Sequence, residues 1–171
     1  LGLIPRRAAR ASDIWKRRFS AAEVEARIVA DHRPYHDALA RALAAARERF
    51  GIAVLLDVHS MPTPDGPARI VVGDRFGRSA SARFVARLEA EAGPHAVALN
   101  APYAGGHILD RHADPANGIH ALQLEIDRAL YLDAAFDRPS GGFAATAAML
   151  GRMIAALADE ALSGGLALAA E

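Results

Sequence analysis

Ile52-Ala53-Val54-Leu55-Leu56-Asp57-Val58-His59-Ser60 follows Gly51 and turns from apolar to polar within a few residues. The apolar run 52–58 reads as a short, buried, parallel strand that leaves a helix stop. At its exit, Asp57 and His59 stand at i, i+2, a spacing that points both side chains to the same side of a strand. An imidazole is a good ligand for a divalent metal, and a nearby carboxylate can orient it. A core histidine beside a helix-capping aspartate fits the same spacing, so this short segment leaves both readings open.

Upstream, Ser20-Ala21-Ala22-Glu23 has the form of a capping box. Val24, Ile28, Tyr35, Leu39, Leu43 and Phe50 follow at near-helical spacing up to Gly51. Pro34 interrupts this helix, which predicts a kink or two abutting helices at residues 32–34. His32 and His36 lie at i, i+4 but flank Pro34 with no accompanying metalloprotease Glu, and they read as solvated helix residues, while His95 has no partner spacing. Residues 1–19, with Arg6, Arg7, Arg10, Lys16, Arg17 and Arg18, read as a solvated connecting segment.

Downstream, residues 60–67 form a loop with three prolines and one glycine, and 69–73 a second strand. A helix is expected over 79–92 with Phe84, Val85 and Leu88 inward, then a strand over 95–100 and a fourth apolar run over 119–126. The last helix starts near Ser140, carries Phe143, Ala147, Leu150, Ile154 and Leu157 on one face, and frays from Ser163. Helices alternating with short apolar strands place the chain in the α/β class, with a mainly parallel or mixed sheet flanked by helices. Ligand sites in such folds gather beyond the carboxyl ends of strands. The length suits one domain, residues 1–171.

Composition narrows the function classes. Lys+Arg and Asp+Glu are both 20, so no basic excess points to nucleic acid. There is no cysteine, which excludes disulfides, thiol nucleophiles and Cys-type zinc sites; any metal must use His, Asp, Glu or backbone oxygen. No apolar run approaches the roughly 20 residues of a membrane helix. The chain opens on Leu1 with neither methionine nor a charged-then-apolar leader, so it is expected to be the carboxy-terminal portion of a longer hydrolase domain.

Two further stretches carry chemistry. In Ile119-His120-Ala121-Leu122-Gln123-Leu124-Glu125-Ile126-Asp127, alternation puts Ile119, Ala121, Gln123, Glu125 and Asp127 on one face. A carboxylate between Leu124 and Ile126 is costly to bury unless paired or functional, and burial raises its pKa toward that of a general base. An ion pair with Arg111 or Arg128 is the plain alternative. Asn100-Ala101-Pro102-Tyr103-Ala104-Gly105-Gly106-His107, continuing to Asp110-Arg111-His112, offers a phenol, imidazoles and a guanidinium suited to carboxylate recognition. A polar surface loop is its alternative, and the Gly73-Asp74-Arg75-Phe76-Gly77 turn could be purely a connection.

Together these stretches resemble the N-formylglutamate amidohydrolase (N-formylglutamate deformylase) family. The resemblance runs through Leu3-Ile4-Pro5, Arg33-Pro34-Tyr35-His36, Leu55 to Pro62, Gly73 to Gly77, Gly105-Gly106-His107, Asp110-Arg111-His112, Gly118 to Ile126 and Arg128 to Asp133. It implies an architecture like that of zinc carboxypeptidases and the succinylglutamate desuccinylase group. It implies Zn2+ as cofactor, His59 as a ligand, Glu125 as the catalytic glutamate, and the remaining ligands, a His and an acid, upstream of Leu1. Arg111, with Arg128 second, is the candidate for substrate carboxylates or the oxyanion, and Tyr103 is a further substrate-binding candidate. The implied reaction takes a small acidic amide, N-formyl-L-glutamate or a similar N-acyl amino acid, to glutamate and formate in histidine breakdown in the cytoplasm. No nucleic-acid or membrane partner is expected. A zinc carboxypeptidase or deacylase of other acyl-amino acids, and a non-catalytic remnant that binds a small ligand, are the rival readings.

Overall fold

A computed structural model of the chain describes residues 4–5 and 13–168, with side chains up to residue 163. Leu3, Arg6, Arg7 and Arg10 lie outside the described residues. The chain folds as two compact units, Leu1–Ala42 and Leu43–Glu171.

In the first unit, Ser20 caps α1 (Ala21–Arg27) with the expected reciprocal bonds. Its hydroxyl accepts from the Glu23 N–H, and its own N–H donates to Glu23 Oε2 at 2.9 Å. Arg17 also hydrogen-bonds Glu23 and is the main reason that this carboxyl is held down at about 2. A π-helical turn, Ile28–His32, then leads into α2 (Arg33–Phe50). Pro34 has no N–H to donate, and the wide turn just before it is where the expected interruption is accommodated. One expectation fails here: His36 is buried, with its ring 4.3 Å from that of His32 and 5.1 Å from that of Tyr35. The i, i+4 spacing stacks the two imidazoles on one helix face, and ring contact rather than water satisfies much of the His36 surface.

The second unit is built on a four-stranded sheet of order β1-β4-β2-β3, comprising β1 (Ala53–Met61), β2 (Ala68–Gly73), β3 (Ala96–Leu99) and β4 (Ile119–Asp127). β1 runs parallel to β4 over nine positions, and β2 runs parallel to β3 but antiparallel to β4, so the sheet is mixed. β1 extends three residues further than expected, through His59, Ser60 and Met61, because β4 pairs with it to the end. The parallel pairing brings the carboxyl ends of β1 and β4 to one edge of the sheet.

One face of β4 presents Leu122, Leu124 and Ile126 to a core completed by α3 (Ala82–Glu91) and α5 (Phe143–Leu168). Phe84, Val85 and Leu88 of α3 are buried as expected. The buried stripe of α5 is Met149, Met153, Ala156 and Leu157, whereas Phe143 and Ile154 are exposed. The helix is therefore rotated from the face read in sequence, because it seats its methionines, flexible enough to fill gaps, on α3 and the sheet. Its backbone stays helical through Leu168, beyond the expected fraying at Ser163. Fully burying Leu122 or Leu124 contributes about 1.5–3 kcal/mol each.

His120 belongs to this apolar face. It is buried against Phe84, with ring centroids 4.9 Å apart, and its Nδ1 accepts the N–H of Ser81, the residue before α3, at 3.3 Å. Burial first, then Arg83, holds its pKa below the ordinary 6.5. The unfolded chain then takes up protons at higher pH than the fold does. The stability owed to neutral His120 is therefore complete above about 6.5 and is lost as pH falls through the folded value. Denaturant midpoints should drop between about pH 7.5 and about pH 5.5, and less so in His120→Asn, which keeps an acceptor for Ser81. An equal drop in both proteins would rule out this role for His120.

Candidate active site

The other face of β4 is polar at its carboxyl end: Gln123, Glu125 and Asp127 occur at every second residue, and all three are buried. Parallel register sets His59 directly beside Glu125, and Asp57 beside Gln123. His59 Nε2 lies 2.9 Å from Asp57 Oδ2, within hydrogen-bonding distance, and Nδ1 lies 3.7 Å from Glu125 Oε1, beyond it. The imidazole is 43% exposed while Glu125 is 8% exposed at its side chain, so a half-open histidine stands before a buried carboxyl.

Burial is the largest influence on Glu125 and raises its pKa above the ordinary 4.5, with Asp57 adding to the rise. His59, Arg128 and a hydrogen bond from Gln123 act in the opposite direction. That bond runs from Gln123 Nε2 to Glu125 Oε1 at 3.0 Å. The alternative of an arginine ion pair does not describe Glu125. Arg128 instead donates to Ser60, from Nε to Oγ at 3.2 Å and from a terminal NH2 to the backbone carbonyl at 3.3 Å.

Asp127, two residues beyond Glu125 and with no exposed surface, anchors the loops that leave the sheet. Its Oδ1 accepts from the Thr63 hydroxyl at 2.8 Å and from the Ala129 N–H at 2.9 Å, and Arg69 Nε stands 3.4 Å from its Oδ2. The sequence places Asp127 and Gln123 on the polar face of the strand without giving either a role. The available signal was three polar residues at i, i+2 and i+4 within an otherwise apolar strand.

The Gly73–Gly77 turn is more than a connection. Asp74 Oδ1 accepts from the Gly77 N–H at 3.0 Å and from Asn100 Nδ2 at 2.7 Å, and Asn100 Oδ1 accepts from the Asp74 N–H at 3.0 Å. Arg75 pairs with Asp110 at 2.6 Å and donates to the Gly105 carbonyl at 3.2 Å, tying the turn to α4 (His107–His112). Arg111 lies exposed on α4 and Tyr103 exposed in the preceding loop; His107 is exposed and His112 buried. No hydrogen bond or ion pair among the described residues joins Arg111 or Tyr103 to His59 or Glu125. The fold thus brings together His59, Asp57, Glu125 and Gln123, with Arg128 held at Ser60.

A cleft of about 410 Å³ opens between β1 and α5, lined by Val58, His59, Ser60, Ile126, Phe143 and Leu150 among others. His59 itself borders this cleft, beside Val58 and Ser60 of β1 and Ile126 of β4, whereas Glu125 does not line it.

The family model for N-formylglutamate amidohydrolases matches residues 1–132, well over half of the chain. The chain belongs to this family. N-formylglutamate deformylases of Pseudomonas putida and Pseudomonas aeruginosa are 38% identical over 110 residues and 34% identical over 113. These matches cover 59% and 58% of this chain and 41% of each relative, so the chain spans about two fifths of the length of the curated relatives it matches. A crystal structure of an N-formylglutamate amidohydrolase from Ralstonia eutropha superposes with TM-score 0.74 at 32% identity, covering 88% of this chain and 57% of that one. A gene product of Agrobacterium tumefaciens shares the fold with TM-score 0.60 at 24% identity, covering 82% of this chain and 55% of that one. The α/β class read from sequence and the family resemblance are both borne out. No helix among the described residues is long and apolar enough to cross a membrane.

Proposed function

We propose that the chain carries the general base and one metal ligand of an amidohydrolase that cleaves N-formyl-L-glutamate, or a similar N-acyl amino acid, to the free amino acid and the carboxylate. The observation that carries this reading is the register pairing of His59 with Glu125, which sets a half-open imidazole before a buried carboxyl of raised pKa. It is supported by the family membership and by the names of the relatives.

The donor set suits a divalent zinc. With Nε2 turned to Asp57 at 2.9 Å, Nδ1 is the ring nitrogen left to meet a metal, and it stands too far from Glu125 for a direct hydrogen bond. Zinc bound there would polarise the scissile carbonyl and lower the pKa of water toward about 7. Asp57 fixes the ring orientation and tautomer of His59. Glu125 takes a proton from the attacking water, whose oxygen bonds to the acyl carbon, and delivers that proton to the departing nitrogen as the C–N bond breaks. Arg128, Arg111 and Tyr103 are the candidates for the substrate carboxylates, with Arg128 favoured because its charge acts on Glu125.

The test is an assay of the full-length protein with N-formyl-L-glutamate and a series of longer N-acyl amino acids, before and after chelation and with zinc restored. Formate release that disappears on chelation and returns with zinc is expected. Turnover indifferent to chelation would remove the metal from the reading, and hydrolysis confined to longer acyl groups would replace the substrate.

A further inference from the structure

We infer that Gln123 is a positioning residue, whose side-chain amide holds the Glu125 carboxylate in place before His59. The inference rests on the hydrolase reading above, because holding that carboxylate matters to catalysis only if it moves a proton.

Gln123 is buried, and its Nε2 donates at 3.0 Å to Oε1 of Glu125, the same oxygen that faces His59 Nδ1. One carboxylate oxygen is thereby tied down, and Oε2, which accepts no hydrogen bond from the described residues, is left for the proton. A neutral amide is well chosen for this task. It fixes orientation without setting a full positive charge beside the base, as a lysine or arginine would.

The amide is itself confined. Gly73 of β2 pairs in register with Gln123, and a Cβ on Gly73 would stand 2.6 Å from the Gly105 nitrogen and 2.7 Å from the Ala104 carbonyl carbon. The loop through Gly105 therefore lies directly across β2, an approach that only glycine permits. Its next residue borders the amide: a Cβ on Gly106 would lie 3.9 Å from Gln123 Oε1. Strand register on one side and a close-packed loop on the other restrict the amide, and the amide restricts the base.

Gln123→Met removes the donor while keeping an unbranched side chain of similar length. In the full-length enzyme it should lower kcat about 10–100-fold, the range typical for partners that orient a catalytic or metal-binding group, with KM within about twofold and little change in Tm. Introduced into Glu125→Gln it should cost nothing further, because there is no base left to position. An unchanged kcat, or losses that multiply in the double variant, would overturn the inference.

A second readout covers a variant that fails to fold. Gln123 is the only glutamine among these 171 residues, and in selectively amide-labelled full-length protein its side-chain NH2 signal is assigned by its loss in Gln123→Glu. That signal should exchange slowly with water and shift in Glu125→Ala. Fast exchange and an unmoved signal, in a wild type that is active, would remove Gln123 alone. A wild type that hydrolyses none of the acyl-amino acids would instead bring down the hydrolase reading and the positioning role together.

Discussion

Replacing Glu125 with glutamine should leave the fold and the metal content intact and lower turnover by about 10²–10⁴-fold, the usual contribution of a positioned acid–base group. The substitution is nearly isosteric, and its carbonyl oxygen can still accept the Gln123 amide, so the buried face of β4 keeps its hydrogen bond. What it loses is the capacity to hold a proton between the attacking water and the departing nitrogen. Because that transfer belongs to the transition state, the loss should appear in kcat and kcat/KM alike while KM changes little. Steady-state kinetics with metal analysis of the same preparation separate the outcomes. Near-normal turnover would exclude Glu125 as the base, and lost metal would mean that its carboxylate is a ligand instead.

The prominence of Glu125 could be read in advance because β4 has a strict period of two. A carboxylate whose immediate neighbours are Leu124 and Ile126 must leave the apolar core, and it does so onto a face shared with Gln123 and Asp127. The Asp57 and His59 spacing was likewise sufficient to put both groups on one side of β1. What one strand cannot state is its partner's register, so the meeting of His59 with Glu125 follows from pairing rather than from either segment. Strand direction is hidden for a similar reason. The run ending in Val71-Val72-Gly73 is as apolar as a parallel strand, yet it runs against β4, since a short buried run encodes burial and not orientation. The α5 face was misread because alanines and methionines flank its leucines all round, so that helical spacing alone left the buried stripe poorly defined. The burial of His36 is not legible in the sequence because Pro34 signals a helix break, whereas the π-helical turn keeps the His32 and His36 rings in contact.

The proposal that His59 holds the metal leads to the second large effect. His59→Ala should abolish zinc retention by the full-length enzyme, and turnover with it, since no other imidazole in the 43–171 unit is paired in register with Glu125. Asp57→Asn should be the milder change. Its amide can still meet Nε2 while weakening the hold on tautomer and ring orientation, and the expected cost is about 10–100-fold in metal affinity. The ordering of the two variants is the discriminating result. A ligand lost costs more than an orienting partner weakened, so zinc titrations should rank His59→Ala well below Asp57→Asn. The reverse ranking would make Asp57 the ligand and His59 its partner. The geometry argues against that reversal: Asp57 meets the Nε2 side of the ring, whereas Nδ1 is the nitrogen turned toward Glu125, and a catalytic carboxylate must act on the side where the metal is held.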